Sequence, residues 1–498
     1  MTEPGHVRDG GKCDEPGPGR VWPAWIGAGL VLLGGALALN LQSERFGPEV
    51  ELVDMPALPL AAMLVGAGAL YALLLPLVRA SIAQGLGASR SLLLVVFAFG
   101  LLFRLVLIGS IPVYEDDWHR YLWDGAVTAH GYNPYWVSPE EAQSEPYYHT
   151  LGELARQSGA IIERINHADV RTLYPPVAQA AFALAHGIAP FSLEAWRAVI
   201  LAAELTTLVL LLRLLALSGR SPLWMALYWW NPVVVKELMN SLHMEAIVTP
   251  LVLGTLLLSL RGRSLAAVVS LGLAIGAKIW PLLLAPLVLR PLIARPRQLA
   301  MALAVLFGLS ALLAWPVLSA GVDQSSGFIV YAQYWRNNSA HFGALEAALR
   351  WLTAGLELAP DMPGMAVRAG LAGLAAVLSL RIAWRPLRDG DDLMARAGLV
   401  TAALFLLSPS QFPWYAIWML PFTVFRPRAG LTAVTVLIPV YYVSFHYVAI
   451  DDYDVFRDRI VWLIWIPVWS LLALEAWRSW NTAQEETRSK DKTCAIDG

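Results

Sequence analysis

Residues 91–111, SLLLVVFAFGLLFRLVLIGSI, run directly into residues 112–135, PVYEDDWHRYLWDGAVTAHGYNPY. The first stretch is apolar and long enough to cross a hydrocarbon layer of about 30 Å. The second begins with a proline, which cannot continue a helical hydrogen-bond ladder. Three consecutive acids follow, Glu115, Asp116 and Asp117, and then Arg120 and Asp124. Acids at the start of a helix suit its dipole, while Gly131 and Asn133-Pro134 supply stop signals. The pattern predicts a short helix over about 116–129, lying where a membrane meets water.

Working outward, apolar runs of similar length recur along all 498 residues, 57% of which are hydrophobic and 15% charged. Mean hydropathy is +0.54. Solid apolar runs exclude a β-barrel, whose strands would alternate. The fold class expected is therefore an all-α polytopic membrane protein. Spans are expected near 22–41, 57–78, 91–112, 174–190, 196–217, 222–238, 246–260, 265–289, 298–318, 366–384, 394–424, 430–449 and 460–477. The runs 265–289 and 394–424 contain prolines, so each reads as one kinked helix or two short ones, and the count is about 12–14. A net charge of −2 gives no electrostatic case for nucleic acid. Cys13 and Cys494, both in polar tails, support neither a disulfide framework nor a metal site.

The expected organisation is one transmembrane domain over 21–480, with disordered cytoplasmic tails at 1–20 and 481–498. Arginines cluster at 79 and 90, 261–263, 290–297, 385–388 and 426–428, and the positive-inside tendency places these ends in the cytoplasm. The acidic loop 112–173 and the loop 319–347 then face outward, the former carrying short interfacial helices. Loops this long are uncommon unless functional.

Candidate chemistry gathers at polar residues near membrane depth, where ionisable groups are costly and are functional hypotheses by default. These are Arg104 in LLFRLVL, Lys236, Glu237, His243 and Glu245 in NPVVVKELMNSLHMEAIVTP, and Lys278 in GLAIGAKIWP. In the acidic stretch, Asp117, Tyr121 and Asp124 share a helix face, and Arg120 is spaced to pair with Asp116 or Asp124. Carboxylates crowded beside apolar surface acquire raised pKa values, which suits a general base. Tyr174 enters a span in TLYPP, and SPSQFPWY at 408–415 interrupts another.

These residues resemble the membrane glycosyltransferases of the GT-C fold, especially the bacterial polyprenol-phosphate-sugar-dependent mannosyltransferase-like proteins. The resemblance covers roughly residues 91–425. It rests on the acids at 115–117, Arg120-Tyr121, Trp123-Asp124-Gly125, Gly131 to Tyr135, Tyr174-Pro175-Pro176, Asn231-Pro232 with Glu237 and His243, and Lys278 to Pro281. Three spans precede the acidic motif here, two more than the one helix of that family's core. The resemblance implies a GT-C-like bundle in the bacterial inner (plasma) membrane, with an active site facing outward. It implies transfer of a hexose, mannose by type, from a polyprenyl-phosphate donor to a glycan or glycolipid acceptor, with inversion. Asp117, Asp116 or Glu115 would be the base; Asp117 is favoured by its shared face. Arg120, Tyr121, Asp124, Arg104, Lys278, His243, Glu245 and Tyr174 would bind substrate or the departing phosphate. The acids can take a divalent cation, but no second ligand cluster at recognisable spacing appears, so no metal residues are assigned. A transporter or lipid-linked-sugar flippase is the alternative; the lack of internal repeats weighs against it.

Overall fold

The computed structural model describes residues 21–494 except 146, 148 and 358. Among them there are helices and turns but no strand, only the isolated bridges Arg171–Ser326 and Asn337–Ser410. The chain is an all-α polytopic membrane protein. Among the described residues, seven helical segments are long and apolar enough to cross a bilayer: Val21–Phe46, Ala57–Ala83, Leu193–Leu217, Pro296–Ser319, Met362–Trp384, Ala429–Ala449 and Tyr453–Thr482.

The other expected spans are shorter or broken, for local reasons. Pro176–Ile188, Glu245–Leu260 and Ser264–Ala277 are apolar helices of 13, 16 and 14 residues. The run 265–289 divides: its helix stops at Ala277, and Trp280–Leu284 is a 3-10 turn begun by Pro281. The run 394–424 divides likewise, a helix Gly390–Leu407 giving way to 3-10 turns at Pro413–Trp418 and Leu420–Val424. Around 222–245 the chain passes through short turns and a π-turn at Lys236–Asn240. Irregular backbone at this depth is tolerated where protein covers it, and Lys236 to Glu245 are all buried. The last helix runs on to Cys494, through most of the segment expected to be a C-terminal tail. The expected tail 1–20 lies outside the described residues.

The acidic helix, Asp117–Ala129, packs on Pro176–Ile188. Gly125 permits that approach: a Cβ there would lie 2.5 Å from the Phe182 carbonyl oxygen. Leu193–Leu217 packs on Glu245–Leu260, which in turn packs on Ser264–Ala277. This arrangement brings 115–121, 174, 245 and 278 to one end of the bundle.

Arg104 belongs to the scaffold. Its guanidinium is fully buried, pairs with Glu204 at 2.6 Å, and donates to the carbonyls of Gly100 (2.8 Å) and Trp229 (2.9 Å). Tyr228 donates to the other Glu204 oxygen at 2.5 Å. The expected phosphate role for Arg104 is therefore corrected: its donors are taken up inside the buried core by Glu204 and by two backbone carbonyls. Glu204→Gln is expected to cost about 2–3 kcal/mol, since a buried charged hydrogen-bond partner is removed. Thermal unfolding of the purified variant in detergent checks this, and an unchanged Tm would deny the pair a stabilising role.

Candidate active site

Tyr114 decides how the acid triplet is displayed. Its backbone is left-handed (φ 56°), a costly conformation for a bulky residue. Packing holds it there: its ring stacks on Phe445 at 4.1 Å and meets Phe46 edge-on at 5.0 Å. Glu115 then faces the buried Lys236 and His243, while Asp116 opens to solvent.

The Glu115 carboxylate lies 3.3 Å from His243 Nε2 and 3.9 Å from Lys236 Nζ. Glu237 Oε2 is 3.5 Å from the same ammonium and 3.6 Å from the same imidazole. Tyr442 donates to Glu237 Oε1 at 2.7 Å and accepts from Lys236. Burial pushes the Glu115 carboxyl up, against the opposing pull of His243 and Lys236. Glu115, Glu237 and His243 each place a ligand atom within 4.8 Å of the others, close enough to hold a metal ion. The 122-residue separation of Glu115 from Glu237 hides this convergence from sequence spacing. Lys236 already supplies a cation in the same space.

Asp116 takes the cap position of the acidic helix without capping it. Its Oδ1 accepts from Asn166 Nδ2 at 2.7 Å. Arg120 braces that asparagine: its guanidinium donates to the carbonyls of Asn166 (3.3 Å), His167 (2.8 Å) and Val170 (3.0 Å). Arg120 thus fastens a loop rather than pairing with an acid one turn away. Solvent reaches Asp116, yet protein surrounds it on most sides. That burial, ahead of the charges on Asp117 and Glu115, pushes its pKa up to about 7.

Asp117 Oδ2 is 3.4 Å from the Tyr121 hydroxyl, which donates to it. The Tyr121 ring meets Tyr174 edge-on at 5.0 Å. Both tyrosines lie close enough to feel the charges of Asp117 and Glu245. Glu245 pairs with Lys278, whose ammonium sits 4.4 Å over the Tyr415 ring and 5.3 Å from that of Trp418. Tyr331 and Tyr415 share a hydroxyl contact of 2.9 Å.

A cavity of about 1120 Å3 joins these groups. Glu115, Asp116, Asp117, Arg120, Tyr121, Tyr174, Glu245 and Lys278 line it. His243 stands behind Glu115, buried and stacked 4.0 Å from Trp414, which does line it. Arg104 is absent from the wall, and so is Asp124. The expectation that Asp124 binds substrate is corrected: it is buried and accepts from Gln179 (2.9 Å) and Thr172. The helix face it occupies packs against Pro176–Ile188 instead of the cavity. Sequence reasoning missed Asn166, Tyr331 and Tyr441. It marked 408–415 as an aromatic interruption, and Phe412, Trp414 and Tyr415 supply a large part of the aromatic wall.

One chamber with aromatic walls thus holds the Asp116 carboxyl and the Lys278 ammonium. Residues 22–295, more than half of the chain, match the alpha-(1→6)-mannopyranosyltransferase family over its N-terminal domain. The match contains the acid triplet and Lys278 but ends before Tyr331, Trp414 and Tyr415. No curated protein and no solved structure matches the chain. With the acids, the lysine and the bundle that presents them inside the matched region, the chain belongs to this family and is a glycosyltransferase of the mannosyltransferase type.

Proposed function

We propose that the enzyme moves mannose from a polyprenyl-phosphate donor, entering sideways from the bilayer, to a hydroxyl of an extracytoplasmic glycan or glycolipid. The setting is the bacterial inner (plasma) membrane, with 112–173 and 319–347 as outer loops of one domain over 21–480. The observation that carries this reading is one cavity lined by both the Asp116 carboxyl and the Lys278 ammonium. Asp116 takes the proton of the acceptor hydroxyl as that oxygen bonds to the anomeric carbon. The bond from that carbon to the phosphate oxygen breaks, and the electron pair leaves with polyprenyl phosphate. Lys278 offsets the charge that develops there. Attack opposite the leaving group inverts the centre, so the α linkage in the family's name calls for a β-linked donor. Asp117, held near Tyr121, orients the acceptor or sugar hydroxyls.

The base must be deprotonated to act, so kcat/KM should rise with pH and reach half its plateau near pH 7. Asn166 donates to the charged carboxylate and favours it. Asn166→Ala should therefore move that midpoint to higher pH. Rate profiles of the purified enzyme between pH 5 and 9 check both; a flat profile, or an unmoved midpoint in the variant, would remove Asp116 from the role of base.

A further inference from the structure

A second groove, of about 550 Å3, runs along the helix Gly390–Leu407. Leu407 leads into the 408–415 segment beside the first cavity, so the Gly390 end lies at the opposite end of the bundle. Ala395, Ala402 and Ala403 are small and leave a furrow along the groove, while Phe422 closes over Gly398. Leu399, Leu431 and Leu472 wall it. From Asp391 to Leu406 the helix rises about 22 Å, more than the roughly 15 Å depth of one leaflet.

The mouth is basic. Arg220 and Arg426 share Asp391, and Arg396 pairs with Asp392 at 2.8 Å. Asp389 is engaged as a helix cap, accepting from the Asp392 amide at 2.8 Å. Two arginines are less firmly held. The Arg388 side chain is 82% exposed, with its nearest carboxylate at 3.8 Å. Arg428 has no side-chain partner among the described residues, and both line the groove.

We propose that this groove binds one anionic glycerophospholipid. Its phosphate sits between Arg388 and Arg428, and one acyl chain lies in the Ala395–Leu406 furrow. Guanidinium groups match phosphate geometry, and basic pockets between membrane helices favour anionic headgroups. A zwitterionic lipid would bring a second cation to an already cationic mouth, and a soluble phosphate would leave the furrow unfilled.

Native mass spectrometry of the full chain, released from nanodiscs of equal phosphatidylglycerol and phosphatidylcholine, tests this. The wild type should retain phosphatidylglycerol in preference. Arg388→Gln with Arg428→Gln should weaken that preference roughly tenfold or more. Ala402→Phe keeps the arginines but fills the furrow, and should also lose the lipid. Leu399→Trp, at a partly exposed wall position, does the same should Ala402→Phe not fold. Equal retention of both lipids by the wild type would overturn the proposal. So would wild-type retention by a folded furrow-blocked variant, which would reduce the effect to surface charge.

Discussion

Asp116→Asn is expected to lower mannosyl transfer by about 10²–10⁴-fold, the range general-base catalysis contributes. The substitution keeps the size of the side chain and its contact with the loop, but removes its capacity to hold a proton. The other two acids face different partners. Glu115 is turned toward His243 and Lys236, and Asp117 is engaged by the Tyr121 hydroxyl. Asp117→Asn should therefore cost less, because the base remains. The comparison is direct: initial rates for both variants with one donor and one acceptor, beside thermal unfolding to show that each is folded. A larger loss in Asp117→Asn would transfer the role of base to Asp117.

Lys278→Met is expected to reduce kcat by about 10²–10³-fold, comparable to loss of one group that stabilises developing charge in a dry site. Methionine keeps the apolar stem against Tyr415 and Trp418, so the loss reports the ammonium. The same ammonium is paired at rest with Glu245, which is buried at the first turn of its helix. An incoming phosphate competes with that carboxylate, so Glu245→Gln should tighten binding of the phosphate donor while Lys278→Met weakens it. Donor titrations at saturating acceptor separate the two. Unchanged kcat in a folded Lys278→Met variant would remove this lysine from charge stabilisation.

How much was legible in the sequence depended on how locally each feature was encoded. The apolar runs showed the class of fold, because a span is a contiguous pattern. The acid triplet and Lys278 were legible because a charge inside an apolar context stands out. Arg104 stood out for the same reason, and its role did not follow: its partner Glu204 lies on another helix, and only packing reveals that the pair is closed. Asp124 shared a helical face with Tyr121 on paper, yet the face wraps enough for Tyr121 to line the cavity while Asp124 meets Gln179. Asn166 had no local signal, since its importance comes from Arg120 drawing three loop carbonyls onto the acidic helix. The prolines at 281, 413 and 421 left one kinked helix or two short ones open, and in each run a helix instead gives way to 3-10 turns.

The division of labour in the cavity depends on the donor being a lipid phosphate. Transfer of radiolabelled mannose in proteoliposomes, from polyprenyl-phosphate mannose and from a nucleotide-activated mannose in parallel, tests this most directly. An α-linked product is expected from the lipid donor alone, lost in Asp116→Asn. Product from the nucleotide donor, or undiminished product from the lipid donor in that variant, would contradict it.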